Sequence, residues 1–162
     1  MFVLLKVIGL ALLCLAVSAT GFIYCERLLH RKKYLEQLSR FAGNCTDDMR
    51  CLNKNIFEIF AGHAKLELSF FKELNSENIS DNKALRKILS GAGVREDDMF
   101  VITDFLIRMG ASDLESQKTH CKYFSEKFSR LQREAEQELK EKGKLARTLC
   151  VLGSIALFII LI

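Results

Sequence analysis

A chain of 162 residues allows a single domain with one modest core. Its 24 basic and 20 acidic residues leave a formal charge of only +4. The basic side chains interleave with acidic ones, and no aromatic residues are spaced among them as a stacking platform, which excludes nucleic acid as the expected partner.

Residues 2–24 are apolar apart from Lys6. Within them, residues 7–24 approach the ~18–20 residues that cross a hydrocarbon core, with Lys6 placed to snorkel to the interface. Residues 1–25 are therefore read as an N-terminal transmembrane helix. Arg27, Arg31, Lys32 and Lys33 follow it, and positive charge beside a membrane segment favours the cytosolic side. The rival reading is a cleaved signal peptide, for which Val17-Ser18-Ala19 offers small residues after an apolar core of suitable length. Against it, apolar character continues through Gly21, Phe22, Ile23 and Tyr24, and the basic cluster comes after the run.

Residues 26–148 read as a cytosolic helical bundle. With no proline in the chain, long helices are allowed and glycine supplies the punctuation. Residues 26–41 continue the first helix, which is expected to stop at Gly43-Asn44. Thr46 then caps a second helix, with Asp47 and Asp48 in its first turn. Met49, Leu52, Ile56 and Ile59/Phe60 make its buried stripe, Gly62 interrupts, and Leu66, Phe70, Phe71 and Leu74 form another apolar face. Residues 75–78 are a polar loop. A short helix carrying Leu85, Ile88 and Leu89 ends at Gly91-Ala92-Gly93. The next buries Met99, Ile102, Phe105, Leu106 and Met109 and stops at Gly110.

Ser112 and Glu115 fit a capping box that opens the last helix. Leu114, Gln117, Cys121, Phe124, Phe128, Leu131 and Ala135 recur along it in steps of three and four, a bundle seam. Beyond Ala135 the sequence is Glu and Lys nearly all round and reads as a charged stalk leading to the membrane. Gly143 costs only ~1 kcal/mol in a helix interior and does not have to end it. Lys140, Lys142, Lys144 and Arg147 precede residues 149–162, a short C-terminal membrane segment. As a helix it rises roughly 21 Å against a ~30 Å core, so it spans a thinned bilayer or inserts part way. Both basic clusters favour one topology, termini outside and residues 26–148 in the cytosol. The fold class is all-α, a helical bundle between N-terminal and C-terminal membrane segments.

Chemistry is sparse. Of six cysteines, Cys14 and Cys150 lie in the apolar runs and Cys25 at a boundary, leaving Cys45, Cys51 and Cys121 in the polar part. Without a CxxC pair they read as reduced thiols. His30, His63 and His120 are scattered without ligand spacing, so no metal is expected. Gly143-Lys144 lacks the preceding glycine of a phosphate loop, no nucleophile–base grouping stands out, and the sequon Asn78-Ile79-Ser80 has no meaning in a cytosolic loop. The expectation is a non-enzyme without cofactor. Asp113, Gln117 and His120, at i, i+4 and i+7, share one helix face. They form either a polar patch for another subunit or a set of internal ties, with Asp113 serving the helix N-terminus and Gln117 and His120 bonding within the bundle.

The stretch Met109-Gly110-Ala111-Ser112-Asp113 through Gln117 and His120 resembles the LGxxDxxxQxxH region of the stage III sporulation protein AB family of endospore-forming bacteria. Chain length, two apolar ends and a long charged helix ending in Arg147-Thr148-Leu149-Cys150-Val151-Leu152-Gly153 are similar to that family as well. The family usually has proline after its first membrane segment and after its first helix, where this chain has Leu28-Leu29 and Cys45-Thr46-Asp47. The resemblance implies a bundle like that of the platform proteins (F components) of type II secretion and type IV pilus systems. It implies an inner scaffold of a complex bridging mother cell and forespore, on the mother-cell side of the outer forespore membrane. Its implied partners are a cytosolic secretion-type ATPase, other membrane subunits and a possible second copy of itself. Gly110, Asp113, Gln117 and His120 are the candidate interaction or helix-start motif. The competing functions are an exported helical binding module with a C-terminal anchor, and a general type II secretion-like platform.

Overall fold

The computed structural model describes residues 2–51, 79, 81–109 and 113–161, with side chains undescribed at 2–8, 10, 11, 13, 14, 48–51, 157, 158, 160 and 161. Its helices are α1 (Phe2–Cys51), α2 (Asn82–Gly91), α3 (Glu96–Arg108), α4 (Leu114–Glu138), a π-helical turn (Leu139–Gly143) and α5 (Lys144–Leu161). No strand occurs among the described residues. The expected stripe of Met49, Leu52, Ile56, Ile59 and Phe60, the interruption at Gly62, the face of Leu66, Phe70, Phe71 and Leu74, and the polar loop 75–78 lie outside the described residues or side chains. The chain forms two compact units, Lys33–Gln132 and Met1–Lys32 with Arg133–Ile162.

In the unit Lys33–Gln132, α1 contributes Leu35, Leu38, Phe41, Ala42 and Cys45 to the core, and α2 contributes Leu85 and Leu89. Helix α3 adds Met99, Ile102, Phe105 and Leu106, and α4 adds Cys121, Phe124 and Phe128. Full burial of one such side chain contributes about 1.5–3 kcal/mol. Phe105 is the hub, edge-on to Phe41 at 6.2 Å and to Phe128 at 5.4 Å, and tilted against Phe124 at 5.2 Å. Polar ties cross the core as well. The Tyr34 hydroxyl donates to buried Asp98 at 2.5 Å. Ser39 on α1 shares a 2.7 Å hydroxyl bond with Ser129 and donates to the Ser125 carbonyl, while the Ser125 hydroxyl donates back to the Ser39 carbonyl. Cys45 also hydrogen-bonds to the Cys121 thiol and holds it below its ordinary value, although burial pushes the other way.

Local signals explain the short helices. Asp81 caps α2, accepting from the Lys83 amide at 2.9 Å. The same helix ends in a Schellman turn, with Val94 N–H bonded to Leu89 O, Gly93 N–H to Ser90 O, and Gly93 at φ 73°. Helix α3 opens on Glu96, Asp97 and Asp98, which favour its positive end.

Three expectations are corrected. Helix α1 runs through Gly43-Asn44 without stopping, and Thr46, instead of capping a new helix, donates back to the Ala42 carbonyl at 3.2 Å. Phe41, Ala42 and Cys45 are fully buried around that point, and such packing outweighs the ~1 kcal/mol penalty of one interior glycine. Leu114, expected in the seam, is 41% exposed because it occupies the first turn of α4. The helix beyond Ala135 is no isolated stalk, since it pairs with α1.

That pairing builds the other unit. Arg31 meets Glu138 at 2.7 Å and Lys32 lies 3.7 Å from Glu136, so part of each charged run neutralises the other. Moving back along α1, Cys25 Sγ donates to the Gly143 carbonyl at 3.3 Å, and Ser18 and Ser154 share a 3.1 Å hydroxyl bond. The helices are therefore antiparallel in this unit. Gly21 marks their closest approach, because a Cβ built there would lie 2.5 Å from Cys150 Sγ. Small residues at such crossings let backbones come close. Among the described residues, no helix is long and apolar enough to cross a membrane. Parts of both predicted segments fall among the undescribed side chains.

Candidate functional site

Gln117 and His120 both point at the C-terminal end of α3, whose last four carbonyls have no partner within the helix. Met109 N–H bonds back to Leu106, at 3.3 Å, so it does not serve the Phe105 carbonyl. His120 Nε2 sits 3.1 Å from the Phe105 carbonyl, with its ring stacked on the Phe105 ring at 5.7 Å and 11°. Gln117, 3% exposed, donates from Nε2 to the Arg108 carbonyl at 3.3 Å. Asp113 does a different task. Its side chain accepts from the Ser116 amide at 3.2 Å and its carbonyl from the Gln117 amide at 2.9 Å, the geometry of an N-cap. Hydrogen bonds from Ser116, first its hydroxyl and then its amide, hold the Asp113 carboxyl below its ordinary range. Gly110 and Ser112 lie outside the described residues. The expected Ser112–Glu115 capping box is corrected, because the helix starts at Leu114 with Asp113 as its N-cap and Ser116, not Glu115, at the third helical position.

The motif therefore brings Gln117 and His120 together as a clamp on the end of α3, and sets Asp113 apart as the start of α4. Asp113 is exposed and His120 half-buried, while both ties to α3 are made within the described helices. No group of three His, Cys, Asp or Glu residues able to hold a metal occurs among the described residues.

Sequence reasoning did not single out a second feature. A cleft of about 670 Å³ opens in the terminal unit, lined by Phe22, Cys25, Glu26 and Leu29 on α1 and by Leu139, Lys140, Gly143, Lys144, Arg147 and Thr148 opposite. Its wall includes residues of the π-helical turn, a distortion that often marks functional positions. The available signal was the spacing of Lys140, Lys144 and Arg147 at i, i+4 and i+7, which puts three cations on one face. Lys140 bonds to Glu136 at 3.0 Å, and Lys140 and Lys32 together hold the Glu136 carboxyl below its ordinary range.

The family model described as stage III sporulation protein AB matches residues 6–162. The chain belongs to that family. No curated protein and no solved structure matches it. Membership covers both apolar ends and the clamp, so the Asp113, Gln117 and His120 pattern in this member of the stage III sporulation protein AB family is the α3–α4 turn described above.

Proposed function

We propose that this sporulation-associated protein is a membrane-anchored, non-enzymatic scaffold subunit of a secretion-like complex linking mother cell and forespore. Its helical unit faces the mother-cell cytosol, between a secretion-type ATPase and the other membrane subunits. The observation that supports the anchored part of this reading is the distribution of exposed apolar side chains. Leu12, Leu15, Phe22 and Ile23 on α1, and Leu149, Leu152, Ile155 and Ile159 on α5, are each at least half exposed. Apolar surface of that extent beside basic clusters is what a bilayer covers. Sporulation-family membership favours this role over a general secretion platform.

The partner assignment is tested by isolating the tagged full chain in mild detergent from sporulating cells. A secretion-type ATPase recovered with it supports the scaffold role. Recovery of the membrane subunits without any ATPase contradicts the placement between them.

A further inference from the structure

We infer that the cleft beneath the π-helical turn binds the headgroup of an anionic phospholipid. The inference rests on the anchored reading given above. Lys140, Lys144 and Arg147 face Glu26 as the one carboxylate among the lining residues. Lys140 is engaged by Glu136. Lys144 and Arg147 are exposed, and neither has a carboxylate within 4.0 Å among the described residues. An unneutralised pair of cations at the rim of a concave site suits a phosphodiester, with Arg147 able to chelate two of its oxygens.

The walls decide between a lipid and a soluble anion. Phe22 is 68% exposed, and with Leu29 it gives the cleft an apolar side that a small phosphate does not use. Directly along the same helix as the two cations, Leu145, Leu149 and Leu152 continue as exposed apolar surface. An amphipathic ligand matches both parts, its phosphate on Lys144 and Arg147 and its acyl chains along the apolar helix faces. The cleft also falls at the inner edge of both apolar runs, where headgroups lie if those runs are in the bilayer.

The test uses the full chain in neutral detergent, with lipid binding read by native mass spectrometry. The probes are phosphatidylglycerol, phosphatidylcholine and glycerol 3-phosphate. Lys144→Gln/Arg147→Gln removes two cations beside the headgroup and is expected to weaken phosphatidylglycerol binding roughly thirtyfold. Lys83→Gln/Lys122→Gln, which removes exposed charges elsewhere, is expected to leave it unchanged. Equal binding of phosphatidylglycerol by the Lys144/Arg147 variant and the parent would overturn the inference. So would equal binding of the two lipids by the parent, or displacement of lipid by glycerol 3-phosphate at matching concentration, which would make the cleft a soluble-anion site. Flotation of the parent with phosphatidylcholine vesicles separates the two levels. A chain that fails to float overturns anchoring and this site together, whereas one that floats without preferring phosphatidylglycerol overturns this site alone.

Discussion

The side-chain amide of Gln117 donates to the backbone carbonyl of Arg108 at 3.3 Å, joining the start of α4 to the end of α3. His120 repeats the tie one turn later, at the Phe105 carbonyl. Two side chains from one helix thus supply partners to carbonyls that another helix leaves without them. The polar pattern in this region ties the two helices together across their turn.

Truncating either tie strands a carbonyl in a part-buried setting. Gln117→Ala is expected to cost about 1–3 kcal/mol, and His120→Ala a similar amount from the lost bond and ring contact. Thermal unfolding of the detergent-solubilised full chain, followed by circular dichroism, measures both. Unchanged melting for Gln117→Ala would mean the amide contributes nothing to the turn.

Acid should act on the same turn through Asp113. Its folded value is lowered, so its stabilising contribution is present above the unfolded value near 3.8 and is lost as pH falls through the lower, folded one. Asparagine can also cap a helix but does not titrate in this range. Asp113→Asn is therefore expected to lose less stability than the parent between pH 5 and pH 2, as read by unfolding at fixed salt. Parallel acid profiles for the two proteins would contradict the capping role.

In the terminal unit the sharpest constraint is steric. A methyl group at Gly21 meets Cys150 Sγ at 2.5 Å and its Cβ at 3.0 Å, so Gly21→Ala should push α1 and α5 apart. Cys150→Gly removes both atoms and is expected to restore the pairing. The measurement is a double-mutant cycle on thermal stability in detergent, where the second substitution should be less harmful in the Gly21→Ala background than in the parent. Additive losses would show that the helices do not approach as closely as described.

Much of the fold was legible because burial leaves a period in the sequence. Met99, Ile102, Phe105, Leu106 and Met109 repeat at helical spacing and are all buried, and Gly93 ends its turn at a φ that disfavours other residues. Gly43-Asn44 misled because local propensity is weak beside the packing of Phe41, Ala42 and Cys45. The charged run after Ala135 misled for a related reason. Glu136 and Glu138 look like a solvated surface until their partners Lys32 and Arg31, more than a hundred residues earlier, are known. Spacing alone put Asp113, Gln117 and His120 on one face. It could not say that the latter two meet carbonyls of α3, since long-range backbone partners leave no local pattern.

The central claim, a chain held in the membrane with its helical unit in the cytosol, is tested most directly by thiol accessibility. Cys45 and Cys121 are unsuitable reporters because both are 0% exposed and a reagent on either side would miss them. An exposed position such as Lys122→Cys, in a chain whose natural cysteines are replaced, reports the side directly. In intact sporulating cells, a membrane-impermeant thiol reagent should leave it unlabelled until the membrane is permeabilised, and label it fully afterwards. Labelling in intact cells would place the helical unit outside the cytosol, out of reach of a cytosolic ATPase, and contradict the account.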